Sequence, residues 1–200
     1  MKYVRKLLTL SIAAALLATA SLYSHAAGHD IWPLVQNESS ISFVSVKNGK
    51  IGEVHTFTDF SGVLDHGKAT ITIKPDSVDT NVPIRNERAR EFLFETGVYP
   101  TISISSDVTA AMKEAAEGTT KMLVVPASLS MHGVTKEISL NVSVSQNGKG
   151  TLTVSSSKPV LIQAADYNMD SGVAKLAELV GGIPIATAVP VSFVLTFKKK

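Results

Sequence analysis

The chain has 200 residues, of which 44% are hydrophobic and none is cysteine. This length allows one domain with a substantial hydrophobic core, and the lack of cysteine excludes disulfides, thiolate metal sites and cysteine nucleophiles. The formal net charge is +2 and becomes −1 without the first 26 residues, which contain three basic residues and no acidic one. No general electrostatic attraction to nucleic acid is therefore expected.

The N-terminus has the three parts of a secretory signal. Basic residues precede an apolar run of 14 residues, 7–20, which is short for a membrane span. Ser24 and Ala26 are the small residues that a cleavage site requires. We predict a signal peptide over residues 1–26, cleaved after Ala26, and one exported domain over residues 27–200 with no transmembrane span. An uncleaved membrane anchor is the alternative.

Alternation of apolar and polar residues dominates the rest of the chain and is typical of strands with one buried face. The clearest apolar positions are Ile41, Phe43, Ala69, Ile71, Ile73, Ile102, Ile104, Leu129, Met131, Ile138, Leu140, Val142, Val144, Leu152, Val154, Val191, Phe193 and Leu195. Asn147-Gly148 is a strong hairpin signal. Closing an antiparallel sheet removes its exposed edges. We therefore predict an all-β fold with short helices, built as an eight-stranded antiparallel barrel.

One short amphipathic helix is predicted after the early strands, from Pro83 to Phe94. Asn81 is the expected N-cap, and Pro83 falls in the first turn, where its missing N–H costs nothing. Gly97 and Pro100 prevent the helix from continuing. The residues on its apolar face are Arg85, Ala89, Phe92 and Leu93. A single helix of this kind predicts a plug or lid on the barrel.

A second helix is predicted near residues 172–180. Asp170 or Ser171 can cap its start, and Gly181-Gly182 can end it. Its apolar residues recur at helical spacing. The helix is either a connector packed on the barrel or a lid over the barrel mouth.

Motifs for catalysis are absent from the sequence. The four histidines after the signal, His29, His55, His66 and His132, do not form an i, i+4 pair or an H-E-x-x-H motif. There is also no G-x-S-x-G elbow and no phosphate-binding glycine loop. We predict that the protein is not an enzyme and has no covalent cofactor and no metal. A metal-dependent enzyme that assembles scattered histidines is the less favoured alternative.

Two polar residues have specific predicted roles. His132 precedes Gly133 at an expected turn between strands, where an imidazole commonly bonds to the backbone. Arg85 lies on the apolar face of the first helix, and a buried cation needs a partner. Its partner is predicted to be a carboxylate such as Asp79. Alternatively, Arg85 lies at the barrel mouth and contacts a polar ligand head.

Two motifs resemble the YceI-like family of periplasmic, lipocalin-like polyisoprenoid-binding proteins. The first comprises Asp79-Thr80, Arg85-Asn86, a hydrophobic helix end at Phe92-Leu93-Phe94, and Tyr99-Pro100 before a strand. The second is a strand followed by His132-Gly133-Val134-Thr135-Lys136 and another strand. The resemblance covers roughly the whole chain after the signal. It implies a lipocalin-like barrel that holds a long isoprenoid.

This resemblance gives the apolar side chains a functional interpretation. The expected ligand is a polyisoprenoid or an isoprenoid quinone, held in the barrel interior and carried across the periplasm. The predicted apolar lining is Phe43, Phe60, Ile73, Phe92, Phe94, Ile104, Leu129, Met131, Leu140, Phe193 and Leu195. The competing interpretation is a stress-related structural or interaction module with a filled barrel. A monomer and a homodimer both fit the sequence.

Overall fold

Twelve strand segments form the sheet in the part of the chain that the structure, a computed structural model, describes, namely residues 31–115, 118–147 and 150–200. The proposed signal peptide and His29 lie outside these residues. The strands are β1 Ile31–Pro33, β2 Ser40–Lys47, β3 Ile51–Phe57, β4 Phe60–Asp65, β5 Lys68–Ile73, β6 Val78–Asp79, β7 Ile102–Asp107, β8 Thr120–Met131, β9 Val134–Asn147, β10 Thr151–Ser156, β11 Val160–Gln163 and β12 Ala188–Lys198.

The pairing pattern combines these segments into eight longer strands. β1 pairs with β4, and β2 pairs with β3. On their other side, β4 pairs with β5, and β3 pairs with β6. β10 and β11 both pair with β12. Four of the eight strands are therefore interrupted (β1/β2, β3/β4, β5/β6 and β10/β11), and four are continuous. The predicted antiparallel all-β fold is confirmed, with twelve strand segments where eight strands were expected.

Residues next to β1 close the barrel. β2 pairs with the first half of β12, and Leu34 forms an antiparallel bridge with Phe197 near the end of β12. The Val35 N–H donates to the Thr196 carbonyl at 2.8 Å, and the Lys200 N–H donates to the Ile31 carbonyl at 3.1 Å. Around the ring, each of the eight longer strands thus has a partner on both sides, although the segments β6 and β11 each pair on one side only. This closure satisfies most of the backbone groups that an open edge would expose.

Three short helices accompany the barrel: α1 Pro83–Arg88, α2 Thr109–Glu114 and α3 Asp170–Leu179. A π-helical segment, Ala89–Leu93, continues α1 without a break. The second helix predicted from sequence is α3, which begins two residues earlier than expected. No helix in the described ranges is long and apolar enough to cross a membrane.

The N-cap prediction at Asn81 was wrong. Asn81 adopts a left-handed conformation with φ 59°, and Val82 is the residue that precedes the helix. The Asp79 carboxylate accepts a hydrogen bond from the Asn81 N–H at 2.9 Å, and the Asn86 side chain accepts one from the Thr80 N–H at 2.8 Å. These side chains stabilise the turn before the helix, so Asn81 serves the turn rather than the helix start.

Candidate functional site

A cavity of about 340 Å³ occupies the barrel interior. The inward side chains of the sheet line it, together with residues of the π-helical segment and of α3. Most of the lining is aliphatic or aromatic, as the alternation predicted. Nine of the eleven residues predicted for the apolar lining contact the cavity: Phe43, Ile73, Phe94, Ile104, Leu129, Met131, Leu140, Phe193 and Leu195.

Phe60 and Phe92 are the two predicted lining residues that do not contact the cavity. Phe60 is buried in the core next to the break between β3 and β4. Phe92 is half-buried. The π-helical turn, in which the Phe94 N–H donates to the Ala89 carbonyl at 2.9 Å, widens the helix by one residue. It turns Leu93 and Phe94 towards the cavity in place of Phe92.

One part of the cavity wall is charged, and we call Lys47, Glu53 and Arg85 the charged mouth. Arg85 Nη1 lies 2.7 Å from Glu53 Oε1, and Lys47 forms an ion pair with the other oxygen of the same carboxylate. All three side chains are partly exposed to solvent. Hydrogen bonds hold the pKa of the Glu53 carboxyl below its usual value. The bond from Lys47 has the larger effect and the bond from Arg85 the next largest.

The predicted partner of Arg85 was therefore wrong, although the prediction of a carboxylate partner was right. Asp79 bonds instead to the Asn81 N–H and to the Asn86 side chain. Glu53 was missed because it lies 32 residues away in the chain, on a different strand. Arg85 also lines the cavity, so it forms an ion pair with a carboxylate and in addition has a position from which it can contact a polar ligand head.

His55 lies beside the charged mouth, on the inward face of β3. Its Nε2 atom lies 2.7 Å from the Ser45 hydroxyl oxygen, and its ring is tilted against Phe43 with the centroids 5.2 Å apart. Burial lowers the pKa of the imidazole below its usual value, because a charged ring would lose its hydration. The ring is therefore neutral at neutral pH.

Next to His55 is an aromatic cluster, Phe43, Phe57 and Phe94, all of which line the cavity. Phe43 and Phe57 have ring centroids 5.4 Å apart, and Phe94 meets Phe57 edge-on at 5.6 Å. These separations are typical of favourable aromatic pairs. The wall thus changes from charged to polar to aromatic over a short distance, an arrangement suited to an amphiphile.

Four residues of the cavity wall were not predicted from the sequence as ligand-binding residues: Ser45, Lys47, Glu53 and His55. β3 has a polar inward face at Glu53 and His55, so the usual apolar signal for a buried face is absent. The sequence nevertheless contains a signal for this site. Alternate positions of β3 have two ionisable side chains and an aromatic ring, namely Glu53, His55 and Phe57, which therefore share one face of the strand.

His132 behaves as its sequence position predicted. It adopts a left-handed turn conformation with φ 51°, and its Nδ1 atom lies 3.2 Å from the Tyr167 carbonyl oxygen. Its Nε2 atom lies 2.7 Å from a carboxylate oxygen of Glu95. Within the described ranges, no group of three or more His, Asp or Glu side chains is placed to hold a metal ion.

Comparison with known domains agrees with this architecture. The sequence model of the YceI-like domain matches residues 32–197, most of the chain. The chain belongs to the YceI-like family. No curated protein gives a significant match to this YceI-like chain.

Two solved structures resemble this YceI-like chain. A polyisoprenoid binding domain from Saccharophagus degradans, implicated in plant cell wall breakdown, is 33% identical in sequence and has a TM-score of 0.80. The match covers 86% of this chain and 99% of that one. BcnA from Burkholderia cenocepacia is 20% identical, with a TM-score of 0.62 and coverage of 82% and 98%, and shares the fold.

Proposed function

We propose that this protein binds a long isoprenoid lipid in its barrel and carries it through the periplasm. The observation that carries the proposal is an apolar cavity of about 340 Å³ inside the barrel, with the charged mouth in its wall. Ligand pockets commonly have volumes of about 300–1,000 Å³ and mostly apolar walls with a few polar groups. The polyisoprenoid binding domain from Saccharophagus degradans, at 33% identity, supports the choice of an isoprenoid.

Burial of the chain would supply most of the affinity. Each 100 Å² of apolar ligand surface removed from water contributes about 2.5 kcal/mol before the costs of ordering are subtracted. A carrier requires no bond to be made or broken, so the same interactions explain both uptake and release. No covalent cofactor is needed for this function.

Export is part of the proposal, since a carrier of this kind works in the aqueous periplasm. Residues 1–26 have the composition of a signal peptide, with cleavage after Ala26. Intact-mass measurement of the periplasmic fraction should give a chain that starts at Ala27. A full-length chain retained in the inner membrane would contradict this assignment.

Organic extraction of natively purified protein, followed by mass spectrometry, tests the ligand directly. An isoprenoid lipid should be recovered in near-stoichiometric amount. Leu140→Trp, which enlarges a side chain of the cavity wall, should reduce the recovered lipid. Val124→Trp is the matched control, because Val124 lies on the neighbouring strand with 66% of its surface exposed.

An extract of folded wild-type protein that contains no isoprenoid lipid would overturn the carrier function. It would favour the filled-barrel interpretation, in which the loops or outer surface perform the function. Equal lipid recovery from the Leu140→Trp and Val124→Trp variants would contradict binding of the lipid against Leu140 inside the barrel.

A further inference from the structure

His55 has an unusual position in the cavity wall. It is 6% exposed, and along β3 it stands between Glu53 of the charged mouth and Phe57 of the aromatic cluster. All three side chains line the cavity. Two residues along a strand correspond to about 7 Å, so His55 lies one such step from the mouth residue and one from the aromatic ring.

The hydrogen bonds of this ring are incomplete. Its Nε2 atom is paired with the Ser45 hydroxyl, whereas its buried Nδ1 atom has no hydrogen-bond partner among the described residues. Most buried polar side-chain atoms have a partner, because leaving one unpaired in an apolar interior costs free energy. Because the His55 ring lines the cavity, its unpaired nitrogen is the group of this side chain that a ligand atom could satisfy with a hydrogen bond.

The surroundings restrict what that ligand atom can be. The neighbouring rings of Phe43 and Phe57 and the aliphatic lining provide no hydrogen-bonding side chain. A neutral imidazole has one nitrogen that donates and one that accepts. A hydroxyl oxygen satisfies either form of Nδ1, and a carbonyl oxygen satisfies the form in which Nδ1 carries the proton.

We propose that His55 is a specificity residue, whose Nδ1 atom hydrogen-bonds an oxygen on the ligand's polar head while the isoprenoid chain extends along the apolar lining. This inference rests on the proposed function and narrows it. The ligand class is an isoprenoid with an oxygen-bearing head, an alcohol, phenol or quinone, and not a plain hydrocarbon. The charged mouth lies within reach of any further polar groups on such a head.

A matched pair of ligands tests the inference. Farnesol and farnesene have the same number of carbon atoms, and only farnesol has an oxygen. Each is titrated into full-length mature protein loaded with the fluorescent apolar probe N-phenyl-1-naphthylamine, and displacement of the probe gives the affinity. Wild-type protein should bind farnesol more tightly than farnesene.

Variants at His55 should remove this preference. His55→Leu should weaken farnesol binding about three- to tenfold, as expected for one neutral hydrogen bond, and leave farnesene binding unchanged or improved. His55→Gln, which keeps a hydrogen-bonding group, should retain part of the preference. It also serves as the test variant if His55→Leu does not fold. Ile104→Val, a change in the apolar wall, should affect both ligands equally.

The outcomes separate this inference from the function on which it rests. Binding of both ligands, with the farnesol preference preserved in His55→Leu and His55→Gln, would overturn the role of His55 and leave the lipid-binding function intact. Displacement of the probe by neither ligand, together with a lipid-free extract, would overturn both. The proposal is supported if His55→Leu no longer binds farnesol more tightly than farnesene while Ile104→Val keeps the wild-type preference for farnesol.

Discussion

Gly172 packs directly against the backbone of Phe92: a Cβ atom added at Gly172 would lie 2.3 Å from the Phe92 carbonyl oxygen. This contact joins α3 to the π-helical segment. Val173 and Leu93, the neighbours of the two residues, both line the cavity. The contact therefore joins two elements of the cavity wall.

Gly172→Ala should therefore destabilise the protein by about 1–3 kcal/mol, the usual cost of overpacking a tight contact. Urea denaturation measures the change in the free energy of unfolding. Gly97→Ala is the control, because a Cβ atom at Gly97 would meet no described atom within 4 Å. Equal midpoints for the two variants would show that α3 can move away from Phe92 without cost.

Leu93→Asp tests which face of the π-helical segment is buried. Leu93 is packed against the core and lines the cavity, so an unpaired carboxylate there should cost about 2–4 kcal/mol of stability. Glu91→Lys, on the exposed side of the same segment, should change stability little. Circular dichroism during thermal unfolding compares the two. Similar midpoints would contradict the assigned face.

The ion pairs of Glu53 should make stability depend on pH in the acidic range. Its pKa is lower in the folded protein than in the unfolded chain, so its stabilising contribution is present above the usual value of 4.5 and is lost as the pH falls through the folded value. Glu53→Gln should lower stability at pH 7, and the difference from wild type should shrink on acidification below about pH 4.5. Chemical denaturation at pH 7 and pH 3.5 measures both differences.

Glu87→Gln provides the comparison, since Glu87 is an exposed glutamate on α1. Its denaturation curve should follow wild type at both pH values. A constant difference between Glu53→Gln and wild type across this range would mean that the ionised state of Glu53 does not contribute to stability, which would contradict the assigned ion pairs with Lys47 and Arg85.

Burial of His55 should produce a second pH dependence at higher pH. Because burial lowers its pKa in the folded protein, the unfolded chain takes up a proton first as the pH falls below the usual value of 6.5. Stability should thus be fully present above that value and decline towards pH 5. His55→Leu should show a smaller decline between pH 8 and pH 5 in thermal unfolding. Parallel curves for wild type and variant would contradict the assignment.

A tryptophan probe inside the barrel should report ligand entry. In a Trp32→Phe background, Phe193→Trp places the indole in the cavity wall, whereas Val194→Trp places it on the outer face of the same strand. Titration with a polyprenol should change the emission of the first variant and leave the second unchanged. An unchanged spectrum for a folded Phe193→Trp variant would mean that the ligand does not reach this part of the barrel.

The barrel was predictable because its buried faces alternate with period two. Val191, Phe193 and Leu195 were assigned to the interior from this alternation, and all three line the cavity. The same reasoning failed at Phe92, because the π-helical turn shifts the helix face and has no signal in the spacing of apolar residues. The pairing of Arg85 with Glu53 also required the fold, since it joins a helix to a strand 32 residues away.

The position of β12 in the ring has a consequence for how the protein is made. β12 is the last described strand in chain order, yet it contacts β2, β10, β11 and, through Phe197, Leu34. Contacts between segments this far apart in sequence form slowly, because the intervening chain must first be ordered. While residues 188–198 are still inside the ribosome, the nascent chain cannot complete the barrel. Until β12 is free to pair, β2 and β10 lack the partner that they share, and the ligand cavity is incomplete.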